Sequence, residues 1–392
     1  MKPTFYYFLI FLGIVLTACN QPEKTMQNHF SSTSDTLLIQ TTKQKGSGMF
    51  EIGASMLQFM KVDSVFPYRI SYPEGIDRME RTFFMPDLQE KRPLYVDIVK
   101  GIQNGKAIVV VDENNNKNLT DDAVRKIEPM LWKSDKNVIP CTYDFFNGTK
   151  MIQDTSWLKI GTSNNTLFFS RSDHVIANIN VDSKSYKIAI ADPFNLSFSY
   201  DVHPKLAIIE TPNVQKDSIL HRDLLALDEF VQLNDSYYKF HHISKDGSTV
   251  TLIKEKDFAS IVGTQIGMKA PKFTIVTTEN DTIQSTSLQD KPTIVANSCG
   301  CGGDKVSTEA YYEMLEATKD MHILHVDSNL KTTKSGIHID TENEFNKAFY
   351  QNYRKQYCSR ICYVIGKDHR IIDKFVITNW ETALKIGPNN EL

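Results

Sequence analysis

The sequence predicts two unlike folded parts. A β-rich N-terminal domain is expected over residues 49–262, and an α/β domain with a mixed sheet flanked by helices over 263–392. Three observations predict this division. Short apolar, β-branched runs broken by turn residues fill the first stretch. From Gly267 such runs alternate with helical spacing. Finally, the cluster Ser298-Cys299-Gly300-Cys301-Gly302-Gly303 directly follows one apolar run and directly precedes a helical pattern.

The chain opens with Lys2, an almost unbroken apolar run from Phe5 to Val15, and then Leu16-Thr17-Ala18-Cys19. This is the pattern of a secretory signal with small residues before the cut. The run is short for a bilayer span, which needs ~20 apolar residues. With a cysteine at the cut, the segment resembles the lipobox of bacterial lipoproteins. That resemblance implies a signal peptide over residues 1–19 and acylation of Cys19 as the mature terminus. Asn20 in place of Asp at the next position implies the outer membrane of the cell envelope, facing periplasm or surface. Residues 20–48, rich in Ser, Thr, Gln and Lys, read as a flexible tether.

Net charge is -3, from 44 basic and 47 acidic residues, and no basic stretch suggests nucleic acid as a partner. Length alone, 392 residues, exceeds one typical core.

Within 49–262, strands are predicted at Ala107–Val111, Tyr186–Ile190 and Leu206–Ile209. Tyr237–Ile243 and Thr249–Lys254 form a hairpin around an Asp246-Gly247 turn. His221–Val231, with Leu224, Leu225, Leu227 and Phe230, has the spacing of one helix, and a division is expected near residue 160. Further on, short strands flank Asn280-Asp281, and Thr293–Asn297 is a central strand. A helix over 308–319 is capped by Ser307 or Asp304, and His322–Val326 is the next strand. Thr341-Glu342-Asn343-Glu344 is a capping box before a helix whose Phe345, Phe349 and Tyr353 share a face. Cys362–Ile365 and Ile371–Ile377 form a hairpin, and a last helix starts after Asn379.

Of six cysteines, Cys19 is spoken for, leaving Cys141, Cys299, Cys301, Cys358 and Cys362. Cys141 stands alone in Val138-Ile139-Pro140-Cys141-Thr142-Tyr143 and reads as a buried bystander. Two thiols between a strand end and a helix start form a redox geometry, because a helix N-terminus stabilises the thiolate, which is the reactive species. Such a pair can form a disulfide, bind a soft metal, or do both.

The last part of the chain resembles the thioredoxin superfamily, specifically exported redoxins of the TlpA/ResA type and lipoproteins of Bacteroidetes-like architecture. The resemblance rests on Gly267-Met268-Lys269-Ala270-Pro271-Lys272-Phe273, which matches the group's G-x-x-A-P-x-F opening, and on Tyr363-Val364-Ile365-Gly366-Lys367-Asp368-His369-Arg370-Ile371, which looks like its late hairpin. It implies a thiol–disulfide oxidoreductase of the envelope acting on protein cysteines, with Cys299 and Cys301 as the catalytic pair and no required cofactor. The chain departs from the family in two places. The family's W-C-x-x-C is here Cys299-Gly300-Cys301 without the Trp, a small ring whose strain favours an oxidant or isomerase over a reductant. The family's cis-proline is replaced by Arg360, for which an ordinary trans bond is expected.

The same loop places Cys358 and Cys362 as a second thiol pair. Three readings stay open: a relay to the first pair, a Zn or Cu(I) site built from the four thiols, or a structural staple with Cys362 buried in its strand. A peroxidase is not expected, because no Thr of the peroxiredoxin frame precedes Cys299. Sco-type redoxins pair C-x-x-x-C with a distant His; here His325 and His338 are available but read as ordinary surface residues. The alternative to an enzyme is a binding protein in which the redoxin fold has lost catalysis and the cysteines hold a disulfide or a thiophilic metal. In the β-rich part, Asp112, Asn114, Asn116, Asn118 and Asp122 place oxygen donors at intervals along one turning segment. They resemble a calcium loop, although Lys117 replaces its glycine and Ala123 its final acid. The competing reading is a polar turn between strands.

Overall fold

In the computed structural model the described residues are 27–86, 94–132, 134–193, 197–298, 304–326, 336–340, 343–354 and 359–385. The signal segment, Cys19, Cys299, Cys301 and Cys358 lie outside them.

The strand-rich region is built from two pairs of facing sheets. In one pair, strands Asp77–Phe84, Val96–Gln103 and Lys106–Val111 face Val138–Phe146, Met151–Ser163 and Thr166–Arg171. Phe84, Ile98, Val109, Tyr143, Phe145 and Leu158 fill the space between them. In the other pair, Asp173–Val181, Lys184–Ala191 and Lys205–Glu210 face Phe230–Leu233, Ser236–Ile243 and Thr249–Glu255. The break falls at residue 172 rather than near 160. There a buried ion pair, Arg171–Asp173, joins the two sheet pairs. Tyr200 donates to Asp173 at 2.6 Å, and Arg171 donates to the carbonyl of Ser199 at 2.7 Å.

Two expectations fail in this region. Residues 27–45, assigned by composition to a tether, form three strands: Gln27–Phe30, Thr36–Gln40 and Thr42–Lys45. Leu37 and Ile39 are fully buried in the second core. The helix expected over 221–231 is instead a single 3-10 turn, His221–Asp223, then a bridge at Leu225 and a turn at Leu227–Asp228, where Asp228 has φ +65°, before Phe230–Leu233. Its leucines serve different neighbours: Leu224 packs with Phe50 and Ala207, while Leu225 and Leu227 pack on the main core. Helical spacing here was coincidence.

The C-terminal sheet consists of β1 (Thr293–Asn297), β2 (His322–Val326), β3 (Ile337–His338), β4 (Ile361–Ile365) and β5 (Ile371–Val376). Its order is β3-β2-β1-β4-β5, with β2 and β3 parallel to β1's direction and β4 and β5 running as an antiparallel hairpin. Helices α1 (Lys305–Ala317), α2 (Lys347–Tyr353) and α3 (Trp380–Lys385) complete a thioredoxin-like arrangement. β1 is buried along its whole length and alternates between two cores. Ile294 and Ala296 pack with Ala310, Tyr311 and Met314 of α1; Val295 packs with Phe349 and Tyr353 of α2. Phe345, expected on that inner face, precedes α2 in a 3-10 turn and is 81% exposed. Thr341 and Glu342 of the capping box lie outside the described residues, and Asn343 accepts the Phe345 N–H at 3.0 Å.

At the end of β1 the Asn297 carboxamide donates to the carbonyls of Tyr353 (2.9 Å) and Ile361 (2.7 Å). One side chain thus ties the strand that precedes the cysteine cluster to the end of α2 and the start of β4. On the far edge, β5 meets the strand-rich region. Asp373 pairs with Arg222 at 3.2 Å, Lys374 with Glu229 at 3.6 Å, and Gln265 bonds the backbone of Phe230 at both its N–H and its carbonyl.

Asn297→Ala should cost about 1–3 kcal/mol, because the buried Tyr353 carbonyl and the partly buried Ile361 carbonyl lose their donor. Urea unfolding measures it, and a loss under about 1 kcal/mol would remove Asn297 from its role as a tie. A second prediction concerns acid. Burial, aided by Lys374 and Lys205, pushes the His221 imidazole down to about 4. The unfolded chain therefore binds the proton first, so His221 stabilises the fold fully above about pH 6.5 and loses that contribution as pH falls toward 4. His221→Gln should flatten that part of the stability–pH curve, measured by thermal unfolding across the window.

Candidate functional site

The described residues around the cysteine cluster form a frame with three sides: the end of β1 at Asn297 and Ser298, the start of α1 at Asp304, and the loop at Ser359 and Arg360 that leads into β4. The helix starts three residues earlier than its apolar spacing suggests, because Asp304 supplies the cap. Its carboxylate accepts the Ser307 N–H at 3.3 Å and the Ser307 hydroxyl at 2.7 Å. Ser307, Ala310, Tyr311 and Met314 then follow on the buried face at helical intervals.

Arg360 stands where the family resemblance implies cis-proline. Every described peptide bond is trans. Its guanidinium donates to Asp304 at 2.7 Å, so the loop is tied to the cap of α1. Burial works against ionisation of Asp304, but the Ser307 bonds and the Arg360 charge outweigh it and hold the carboxyl below its ordinary range. The cap's negative charge is thereby matched by arginine.

Behind this frame lies a buried polar cluster that sequence reasoning missed. The Ser298 hydroxyl sits 2.7 Å from Nε2 of His325, and Nδ1 of His325 sits 3.2 Å from Nδ1 of His338. Exposures of the three are 0%, 1% and 7%. Neither histidine is the surface residue expected. The strand register accounts for this: Ala296 lies opposite His325 across the parallel β1–β2 pair, and His325 opposite His338 across β2–β3. Ile294, Ala296 and Ser298 then share the α1 side of the sheet with His325. The Tyr311 ring stacks on His325 at 3.6 Å, only 8° from parallel. Gly336 has φ +102°, and a Cβ there would come within 2.6 Å of the Tyr311 hydroxyl, so glycine is what lets that ring lie flat. Burial, with His338 and Arg354 adding like charge, drives the His325 imidazole far below its ordinary range; it is neutral at working pH. The uninterrupted apolar company of His325 in His322-Ile323-Leu324-His325-Val326 was the available signal.

The described thiols are both inert by burial. Cys362 is fully buried in β4, and desolvation pushes its thiol up to about 12 even though the Asn297 N–H favours the thiolate. Cys141 is fully buried beside Asp112, its thiol raised by burial and by neighbouring carboxylates. Both are free thiols. Cys362 is therefore a buried free thiol of β4, and Cys358, the other member of the second pair, lies outside the described residues.

In the loop after Lys106–Val111, each alternate side chain closes the next turn. Asp112 accepts from the N–H groups of Asn116 (3.0 Å) and Lys117 (3.1 Å), Asn114 also accepts from Asn116 (3.0 Å), Asn116 from Asn118 (2.7 Å), and Asn118 from Thr120 (3.3 Å). Lys117, at φ +66°, brings its ammonium within 3.4 Å of Asp97 and 3.7 Å of Asp112. Asp122 accepts the Glu113 N–H at 3.0 Å; burial, with like charge from Asp112, Asp121 and Glu113, raises its carboxyl to about 6. Among the described residues no three His, Cys, Asp or Glu side chains converge as metal ligands. No described helix is long and apolar enough to cross a membrane.

No family model matches the chain, and no curated protein matches it. Among solved structures it is similar to the thioredoxin domain of a thiol-disulfide oxidoreductase from Bacteroides vulgatus, at 13% identity over 33% of this chain and 100% of that one, TM-score 0.26. It is similar to a peroxiredoxin-like protein from Aquifex aeolicus at 11% identity over 38% of this chain and 88% of that one, TM-score 0.24. The copper-bound ScoI of Arabidopsis thaliana matches at 12% identity over 29% and 94%, TM-score 0.22. The C-terminal fold is established by its strand order and not by these likenesses.

Proposed function

We propose that the chain is an envelope thiol–disulfide oxidoreductase acting on protein cysteines through Cys299 and Cys301, anchored by lipid on Cys19. The observation that supports it is the frame: a fully buried strand ends at Ser298, and a helix capped at Asp304 and clamped by Arg360 begins just beyond the cysteine cluster. That helix start favours negative charge, so the thiolate form of a nearby cysteine is stabilised.

In this reading the Cys299 thiolate attacks a substrate disulfide, and the departing substrate sulfur leaves as a thiolate. Cys301 then attacks the Cys299 sulfur of the mixed disulfide, releasing the second substrate thiolate and leaving a Cys299–Cys301 disulfide. Two electrons pass from the enzyme pair to the substrate; run backwards, the same steps oxidise a substrate dithiol. The small ring favours the backward direction or isomerisation. Arg360 in place of proline supports a weaker hold on substrate backbone, since its side chain is committed to Asp304.

Cys301→Ser should accumulate mixed disulfides on Cys299, whereas Cys299→Ser should accumulate none; non-reducing gels with peptide mass spectrometry read this. A redox titration with differential alkylation should show a reversible Cys299–Cys301 pair at about -270 to -120 mV. Cysteines oxidised at every poise would support a structural disulfide, and thiols that alkylate only after chelation would support the metal-binding alternative with Zn or Cu(I). Cys19→Ala should abolish incorporation of labelled palmitate. Calcium at the 112–122 loop is a separate proposal, resting on its oxygen donors. It predicts a rise in melting temperature of at least several degrees with millimolar calcium, lost in Asp112→Asn.

A further inference from the structure

The first sheet pair of the strand-rich region encloses a cavity of about 360 Å³. It arises where the strand Met151–Ser163 changes partners. Val138–Phe146 pairs with it as far as Val138, opposite Lys159. Beyond that point Thr162 bonds the backbone of Glu128 and Met130 instead. Between Met130 and Val138 the chain leaves the sheet, and the cavity opens there, against Lys159 and Ile160. Gly161 permits the exchange, since a Cβ there would come within 2.6 Å of the Met130 Cα.

The floor of the cavity is apolar and its rim is cationic. Val109, Ile139 and Ile160 belong to or pack on the core between the sheets, and Leu131, 41% exposed, forms a lip. Packed interiors leave few voids larger than one water, so an opening of this size over core side chains is not ordinary packing. Arg125, Lys126, Lys136 and Lys159 line it, against one carboxylate, Glu128. Two of the four are closely matched, Arg125 by Glu113 at 2.5 Å and Lys126 by Glu128 at 2.9 Å. Lys159 is matched poorly. Its side chain is only 8% exposed, its contact with Asp135 is 3.4 Å long, and Asp135 also accepts the Ser172 hydroxyl at 3.1 Å. An ammonium carries three donors, and among the described residues that of Lys159 uses one. Lys136 has no side-chain partner among the described residues.

We propose that this cavity binds a small amphipathic monocarboxylate, its head on Lys159 and Lys136 and its apolar body on Val109, Ile139, Ile160 and Leu131. Volume sets the size. At the ~30 Å³ that a water-sized group takes in a liquid, the cavity holds about a dozen non-hydrogen atoms. Charge sets the head. Once the close pairs cancel and Asp135 is counted against Lys159, one positive charge is left, which matches a carboxylate and not a phosphate dianion. A carboxylate would also give the buried ammonium the acceptors it lacks, and covering the floor and lip removes apolar surface from water. The site lies wholly in the strand-rich region and stands apart from the thiol chemistry proposed above.

The test is isothermal titration calorimetry of the full chain with octanoate, 1-octanol and octyl phosphate. Octanoate should saturate one site with a dissociation constant of ~0.1–1 mM, and 1-octanol should bind about tenfold more weakly. No saturation by octanoate up to ~10 mM, or equal binding of the alcohol, would overturn the proposal. Octyl phosphate binding about tenfold tighter than octanoate would overturn the assignment to a monocarboxylate. Lys159→Met should weaken octanoate about tenfold and leave 1-octanol unchanged. Should that variant fail to fold, Lys136→Gln and Leu131→Ser, both at exposed positions, locate the ligand. The first should weaken octanoate alone, by about threefold, and the second should weaken both ligands. Octanoate affinity unchanged in both variants would overturn the site.

Discussion

The site depends on the Asn297 carboxamide. Its two N–H bonds hold the end of a wholly buried strand against two segments that come from elsewhere in the chain, the end of α2 and the start of β4. The two cysteines proposed to act lie two and four residues beyond it in the chain. Because the Tyr353 acceptor is fully buried and the Ile361 acceptor partly so, the geometry is enforced by the cost of leaving them unpaired as much as by the strength of the bonds themselves. Ser298 inherits its position from that constraint, and with it the contact to His325.

Charge is distributed in the same manner, by pairing where burial is deep. The Asp304–Arg360 bond links two loops that the sequence separates widely. Arg171 and Asp173 do the corresponding work inside the strand-rich region, where removing either partner would strand the other without solvent. The described thiols divide along the same line. Burial holds Cys141 and Cys362 protonated.

Much of this was legible in the residues, and the exceptions have a common cause. Ala107–Val111, Tyr186–Ile190 and the Asp246-Gly247 hairpin were readable because pattern and partner lie close in sequence, and every strand of the C-terminal sheet except the short β3 announced itself as a short apolar run. The strands at 27–45 were hidden because they are polar on their open faces and pair with residues near 175 and 250, which no local window reveals. The leucines of 221–231 kept helical spacing but divide among separate cores. His325 and His338 are partners only through parallel register, a relation between strands that composition does not record.

The early start of the folded region changes how far this protein can range. Gln27–Phe30 is already paired with Asp173–Val181. If Cys19 carries the lipid, the link from anchor to fold consists of residues 20–26, which span about 25 Å at full extension. A tether running to residue 48 would have let the redoxin layer sweep a wide volume. On the proposal of a lipid at Cys19, a link this short would hold the molecule close to the bilayer and turn encounter into a search in two dimensions.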